Sequence, residues 1–291
     1  SSVSPRASHA LSSDDNERSK PMTRAKTFEL ESWRKQELTT YGGSMRRYGT
    51  TPGKPEEYRS KGQQAVTPKD AATLIIVKQG DQPRLLLGKR AMTHKFMPGK
   101  FVFPGGRLDY VDQRLRVPVE IQVPVMERLR RHTQARTSDA KLRGLALAAV
   151  RETFEETGLV LGTPSKTKVL TRHAGWRAFF NHGVMPPLGS MDFIARAITP
   201  PYRTRRFDTR FFMVFDDVIY SDPTVMSAGS GELLDLHWLT LQEARETDLP
   251  AITRMVIDIV EKRLALPKPS QMEAAAPFVR FIKSKSIVSD L

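Results

Sequence analysis

The segment that most constrains this chain runs from about Leu142 to Thr157, where an apolar stretch, LALAAV, leads directly into RETFEETGL at 151–159. With each residue set about 100 degrees from the last, Glu152, Glu155 and Glu156 share one helical face, and Leu147, Val150 and Phe154 fall on the opposite one. Gly158 stands where a C-terminal cap would stop the helix. The pattern predicts a helix anchored to a sheet by its apolar stripe, with an acidic face directed outward. Carboxylates held this close raise one another's pKa values, and a divalent cation among them relieves the repulsion. Ala148 and Ala149 lie beside that face, where short side chains would leave room for a phosphate. Taken alone, acidic triplets at helical spacing are as readily a solvated surface, so the surrounding sequence has to decide.

The chain of 291 residues contains no cysteine, so a metal would be held by carboxylate, imidazole or carbonyl groups, which suits magnesium or manganese. Its formal charge of +14 calls for an anionic partner, such as a phosphorylated small molecule or nucleic acid. No apolar run approaches the roughly 20 residues that span a bilayer, and no signal-peptide core is visible. A cytoplasmic protein with no membrane partner is expected.

Residues 1–65, rich in Ser, Arg, Lys, Pro and Gly, show no sustained periodicity and are read as a disordered basic arm. A folded domain is expected over 66–266, and a basic tail that covers the surface or dangles over 267–291. Within the domain, DAATLIIVK and PRLLLGKR read as a hairpin, and KFVFPGG as a third strand ending in a tight turn. An arginine-rich insertion at 113–142 precedes the acidic helix. GWRAFFN reads as a short helix, and MDFIARAIT, TRFFMVFDD and ELLDLHWLT as strands. Thr240 and Glu243 have capping-box spacing, and Ile252, Val256, Ile259, Val260 and Leu264 form one face of a later helix. His94, His132, His173 and His182 are scattered without metal-ligand spacing, and Trp176, Phe179 and Phe180 are read as core.

These residues resemble the signature of the Nudix family. Gly106 matches its first glycine, Asp112 falls where the family has glutamate, and Arg151, Glu152, Glu155, Glu156, Gly158 and Leu159 match the remainder. Thr153 takes the hydrophobic position, where its methyl can pack. The usual seven-residue spacer has become the stretch from Gln113 to Val150, which puts a role for Asp112 in doubt. The resemblance covers roughly 68–265, including HWLTLQEA at 237–244. It implies an α/β/α sandwich around a mixed sheet, with an insertion before the catalytic helix. It also implies hydrolysis of a diphosphate with Glu152, Glu155 and Glu156 holding the metal, while Arg151 orients the glutamates by an ion pair. Glu152 or Glu232 is the expected general base, with Glu232 favoured as a fourth metal or water contact.

Upstream, LLLGKRAMTHKFMPGKFVFPGG is similar to the motif that precedes this signature in coenzyme A diphosphatases. Arg90, Ala91, Gly99, Phe103, Pro104, Gly105 and Gly106 fit it, with Lys95 where that motif has arginine. The resemblance implies that Arg90, Lys95, Gly105 and Gly106 bind substrate. Arg205 and Arg206, with Arg203 and Arg210, form a second candidate phosphate cluster. Coenzyme A or an acyl-coenzyme A is the expected substrate, with NADH, ADP-ribose and capped RNA as alternatives. A non-catalytic domain that binds RNA through its basic segments is a different class of reading, and weak RNA association is expected of those segments in either case. A homodimer is expected as much as a monomer.

Overall fold

β1 (Lys69–Lys78) organises the molecule because its side chains alternate between two cores. Ala72, Leu74 and Ile76 enter one apolar cluster, and Ile75 and Val77 enter another on the opposite face. All five are fully buried, each aliphatic side chain worth roughly 1.5–3 kcal/mol. The computed structural model describes residues 58, 63–93, 98–221, 233–282 and 285–291; most of the expected arm, together with Lys95 and Glu232, lies outside the described residues.

β2 (Arg84–Arg90) pairs antiparallel with β1 as the predicted hairpin. The KFVFPGG segment divides in two, β3 (Phe101–Val102) pairing with β2 and β4 (Gly105–Arg107) with β1. Next in the chain come α1 (Tyr110–Arg114), α2 (Val123–Arg130), the acidic helix α3 (Asp139–Thr157), β5 (Thr163–Pro164), α4 (Ala174–Phe180) and β6 (Val184–Met185). β7 (Asp192–Ile198), β8 (Phe207–Phe215), β9 (Leu233–Thr240), α5 (Leu241–Glu246) and α6 (Ala251–Leu264) follow. A one-turn helix, α7 (Lys268–Gln271), precedes β10 (Pro277–Ile282) and β11 (Lys285–Asp290).

Among the described residues the main sheet runs β11-β10-β7-β8-β1-β2-β3, with β4 against β1 and β9 against β2. β8 is parallel to β1, from Phe207 opposite Lys69 to Phe215 opposite Val77, and β10 is parallel to β7; the other pairs are antiparallel. Helices α1 to α4 supply residues to the core on one face, and α5 and α6 to the core on the other. The architecture is therefore the expected α/β/α sandwich around a mixed sheet. The predicted capping box is present at α5: Glu243 N–H donates to Thr240 Oγ1 at 3.1 Å, and Thr240 N–H to Glu243 Oε2 at 2.7 Å. No helix among the described residues is long and apolar enough to cross a membrane.

Three differences from the sequence reading have physical causes. First, α3 begins at Asp139 rather than near Leu142, because Ser138 caps it by accepting the Lys141 N–H at 3.2 Å. Second, Ala148 and Ala149 are fully buried in the core and leave no open space beside the acidic face. α1 and α2, which frame the insertion, pack with α4 around this helix, so it is enclosed on more sides than a surface stripe would be.

Third, residues expected as a surface tail form β10 and β11 at the sheet edge. Short alternations such as FVRFI, interrupted by charges, carry a weak local signal. Tertiary contacts settle the matter: Arg263 donates to the carbonyls of Gln271, Ala274 and Ala275, and Arg128 to that of Met272. Both arginines also meet buried Asp192. Burial pushes the Arg263 guanidinium down to about 10 in pKa, against the pull of Asp192. Val279 is buried at the centre of β10. Val279→Asp would bury an unpaired charge, and a loss of about 3 kcal/mol or more is expected in urea unfolding; an unchanged midpoint would mean that these strands add nothing to the fold.

Candidate active site

The acidic end of α3 is fixed before any charge is considered. Gly158 takes a left-handed conformation (φ 72) that ends the helix, its N–H donating to Phe154 O at 2.9 Å. Thr153, at the signature's hydrophobic position, is fully buried, and its hydroxyl donates to Ala149 O at 2.8 Å. The methyl therefore packs while the polar atom is satisfied within the helix. Phe154 stands edge-on to Phe179 of α4 with centroids 5.7 Å apart. Trp176 and Phe179 are fully buried, as the reading of that segment as core expected.

Against this end lie the two glycines of β4. A Cβ at Gly106 would stand 2.4 Å from Glu152 Cδ, so any larger residue would displace that carboxylate. At Gly105 a Cβ would meet Ala72 O at 2.5 Å, and the Gly105 N–H donates to Glu156 Oε2 at 2.9 Å. Both positions were expected to bind substrate; the structure sets them against the glutamates. Glu156 is buried, turned towards β4 and away from an open face.

Arg151 binds the remaining acids. Its Nη1 donates to Glu152 Oε1 at 3.0 Å and to Glu155 Oε2 at 3.1 Å. Nε and Nη2 form a fork on Asp112, at 3.0 and 2.9 Å, and Nη2 also reaches Arg107 O at 3.0 Å. Those acceptors match the five N–H bonds of a guanidinium. Burial opposes the Arg151 charge, but Asp112, then Glu152 and Glu155, outweigh it and raise its pKa. Burial raises the Glu152 pKa, and the charge of Glu155 adds to the effect while Arg151 opposes it.

Asp112, doubtful in sequence because of the long spacer, is the fully buried counterpart of this arginine. Besides the fork it accepts the Trp176 indole N–H at 2.8 Å and the Asp109 N–H at 2.9 Å. Spacer length does not separate it from α3, because Leu115, Val117 and Ile121 tuck the insertion into the core. Trp176, taken as core alone, thus also has a polar tie to this centre, which its sequence position does not announce. α4 forms a further wall: a Cβ at Gly175 would stand 1.9 Å from Glu155 Oε1.

A resident cation would find an oxygen-only donor set of the kind magnesium and manganese prefer, with Glu152 and Glu155 already drawn to one point. In donor chemistry the residues fit. Among the described residues, however, no three acidic or histidine side chains converge as a metal cluster. Arg151 occupies the meeting point of two glutamates, and Glu156 faces the Gly105 N–H. Glu232, the fourth expected ligand, and Lys95 lie outside the described residues.

Three arginines of the second cluster make contacts within the fold. Arg206 donates to Thr199 O at 2.9 Å and Val66 O at 2.8 Å, Arg210 is buried against Asp70 and Asp208, and Arg203 lies over the Tyr58 ring. Arg205 is exposed in the turn before β8. The end of α3 that meets this region carries Lys141, paired with Asp70 at 2.6 Å, and lies roughly 16 Å along the helix from Glu152. Arg90 sits half-buried at the end of β2, its N–H donating to Lys100 O at 2.9 Å and its carbonyl accepting the Gly99 N–H at 3.0 Å.

Replacing Asp112 with Asn would keep its shape and remove the charge that Arg151 faces. Breaking a buried pair in this way is expected to cost about 3 kcal/mol, seen as a lower unfolding midpoint. A midpoint equal to the parent's would show that the fork contributes nothing to stability.

No family model matches the chain. A protein of Caenorhabditis elegans named as nudix hydrolase 7 is 26% identical over 196 residues, covering 60% of this chain and 52% of the relative. The chain thus spans about half the length of that curated relative. A NUDIX hydrolase from Alicyclobacillus acidocaldarius is 25% identical, covering 67% of this chain and 92% of its own, with a TM-score of 0.49. The NUDIX domain of Shewanella oneidensis NrtR, solved with ADP ribose, is 13% identical, covering 84% of this chain and all of its own (100%), with a TM-score of 0.40. In sequence the chain is similar to Nudix hydrolases over the region that holds Arg151 and its glutamates.

Proposed function

We propose that this chain is a divalent-metal-dependent Nudix hydrolase that cleaves the diphosphate linkage of a nucleoside diphosphate derivative, with coenzyme A or an acyl-coenzyme A as substrate. The observation that carries the reading is the single Arg151 nitrogen shared by Glu152 and Glu155, with the same guanidinium forked onto Asp112. A solvated acidic face has no need of a buried arginine that gathers its carboxylates. The likeness to nudix hydrolase 7 points the same way.

Magnesium or manganese, when bound, would neutralise phosphate charge and acidify a water. Glu152 and Glu155 would hold it, with Glu156 and Glu232 as further candidate ligands. Arg151 orients Glu152 and Glu155 and does not touch substrate. Glu152 or Glu232 would accept the proton from the attacking water. Coenzyme A is favoured by Arg90, Gly99 and the FPGG at 103–106, which match the motif of coenzyme A diphosphatases.

Incubation with coenzyme A, NADH, ADP-ribose and capped RNA, in magnesium or manganese, tests the reading by product analysis. Release of 4′-phosphopantetheine is expected, abolished by a chelator and reduced about 100-fold or more by Glu152→Gln with Glu155→Gln. Turnover of a different substrate would remove the coenzyme A assignment and keep the chemistry. No turnover of any of them would sink the hydrolase reading.

A further inference from the structure

We propose that His173 is a substrate-contacting residue of this site, its Nε2–H donating to a non-bridging oxygen of the bound diphosphate. The inference rests on the hydrolase reading above for the identity of the ligand. In sequence His173 is one of several scattered histidines. In the fold it immediately precedes α4, whose first turn lies against the acidic end of α3.

Gly175 supplies the geometry. A Cβ there would meet Glu155 Oε1 at 1.9 Å and the His173 Cε1 at 3.3 Å, so ring edge and carboxylate border the same space. They are within roughly 5 Å of each other, the reach of one bridging water. The ring is half-buried and so remains accessible from solvent. The same turn of α4 is anchored independently, because the Trp176 indole donates to Asp112 of α1 at 2.8 Å. α4 therefore carries His173 in a fixed relation to the Arg151 centre.

The ring's hydrogen bond sets what it can offer. Nδ1 accepts the Trp176 backbone N–H at 3.4 Å as the cap of α4, which leaves Nε2 as the ring nitrogen that can donate. His173 thus offers a donor at Nε2, whereas Glu152 and Glu155 present acceptors and the Arg151 donors are already engaged. A phosphate oxygen arriving beside these carboxylates needs a donor, and a fixed one is effective where water is partly excluded.

Two substitutions separate this role from helix capping alone. Asn places an amide oxygen near the position of Nδ1 and is a good cap, but it ends short of Nε2; Gln places its amide nitrogen near Nε2 and caps poorly. Binding of the non-cleavable α,β-methylene-ADP with magnesium, measured by calorimetry, is expected to weaken about tenfold or more in His173→Asn. Its melting temperature should stay at the parent's value. His173→Gln should show the reverse pattern, a lower melting temperature with most of the affinity kept.

Parent-like affinity in His173→Asn would overturn the inference, as would failure of the parent to bind the analogue. If binding depends on His173 while the parent hydrolyses nothing, the donor role stands and the hydrolase reading alone falls.

Discussion

The site depends on one buried ion pair. Arg151 and Asp112 are both removed from water, and charges in that position cost several kcal/mol each unless their geometry and remaining hydrogen bonds compensate. Here they do: a planar fork meets a carboxylate, which also accepts an indole and a backbone N–H. The other guanidinium hydrogens are then aimed at Glu152, Glu155 and a carbonyl of β4. Lysine could not do this, because a point charge has no rigid fork to divide between Asp112 on one side and two glutamates on the other.

The sheet makes that pair possible by fixing distances across the core. β1 lies between β8 and β2 and also pairs with β4, so Gly105 and Gly106 are held against Thr73 and Ala72 in a set register. α3 crosses the same face of β1 with Leu142, Leu145, Leu147 and Val150 in the core. Neither partner can withdraw without opening that cluster. The close approach of Gly106 to Glu152 is thus enforced by apolar packing; a side chain at Gly105 would collide with the backbone of β1, and one at Gly106 would displace the Glu152 carboxylate.

Local signals made part of this legible. Helical periodicity placed α3 and put three glutamates near one another, and Gly158 and the Thr240–Glu243 pair marked helix ends whose caps are local by nature. What stayed hidden depended on distant partners. Asp112 is isolated in sequence, and only the return of the insertion brings it to Arg151. Ala148 and Ala149 look like open space beside an acidic face until α1, α2 and α4 are seen to surround the helix. Arg206 looks like a phosphate ligand, but the carbonyl of Thr199 just past β7 and that of Val66 ahead of β1 take its hydrogen bonds. Composition could not separate functional from structural arginines because their difference lies in which acceptors surround them.

The charge distribution gives the strongest argument for a cation in the proposed reaction. The chain as a whole, at +14, attracts polyanions over long range. At the site the gradient is reversed: the Arg151 side chain is 6% exposed, Glu152 19% and Glu155 31%, so an arriving phosphate meets carboxylates first. The Arg151 guanidinium is already committed to Asp112 and cannot turn outward without leaving that buried acid's charge uncompensated. Anionic substrate and anionic glutamates therefore repel at short range unless something positive comes between them. Burial raises the pKa of Glu152, and Arg151 and Glu155 act on it in opposite directions, so a positive charge brought to this face would favour its carboxylate form. A divalent ion would supply that charge to both partners at once, which is how the acidic face would serve the diphosphate chemistry proposed above.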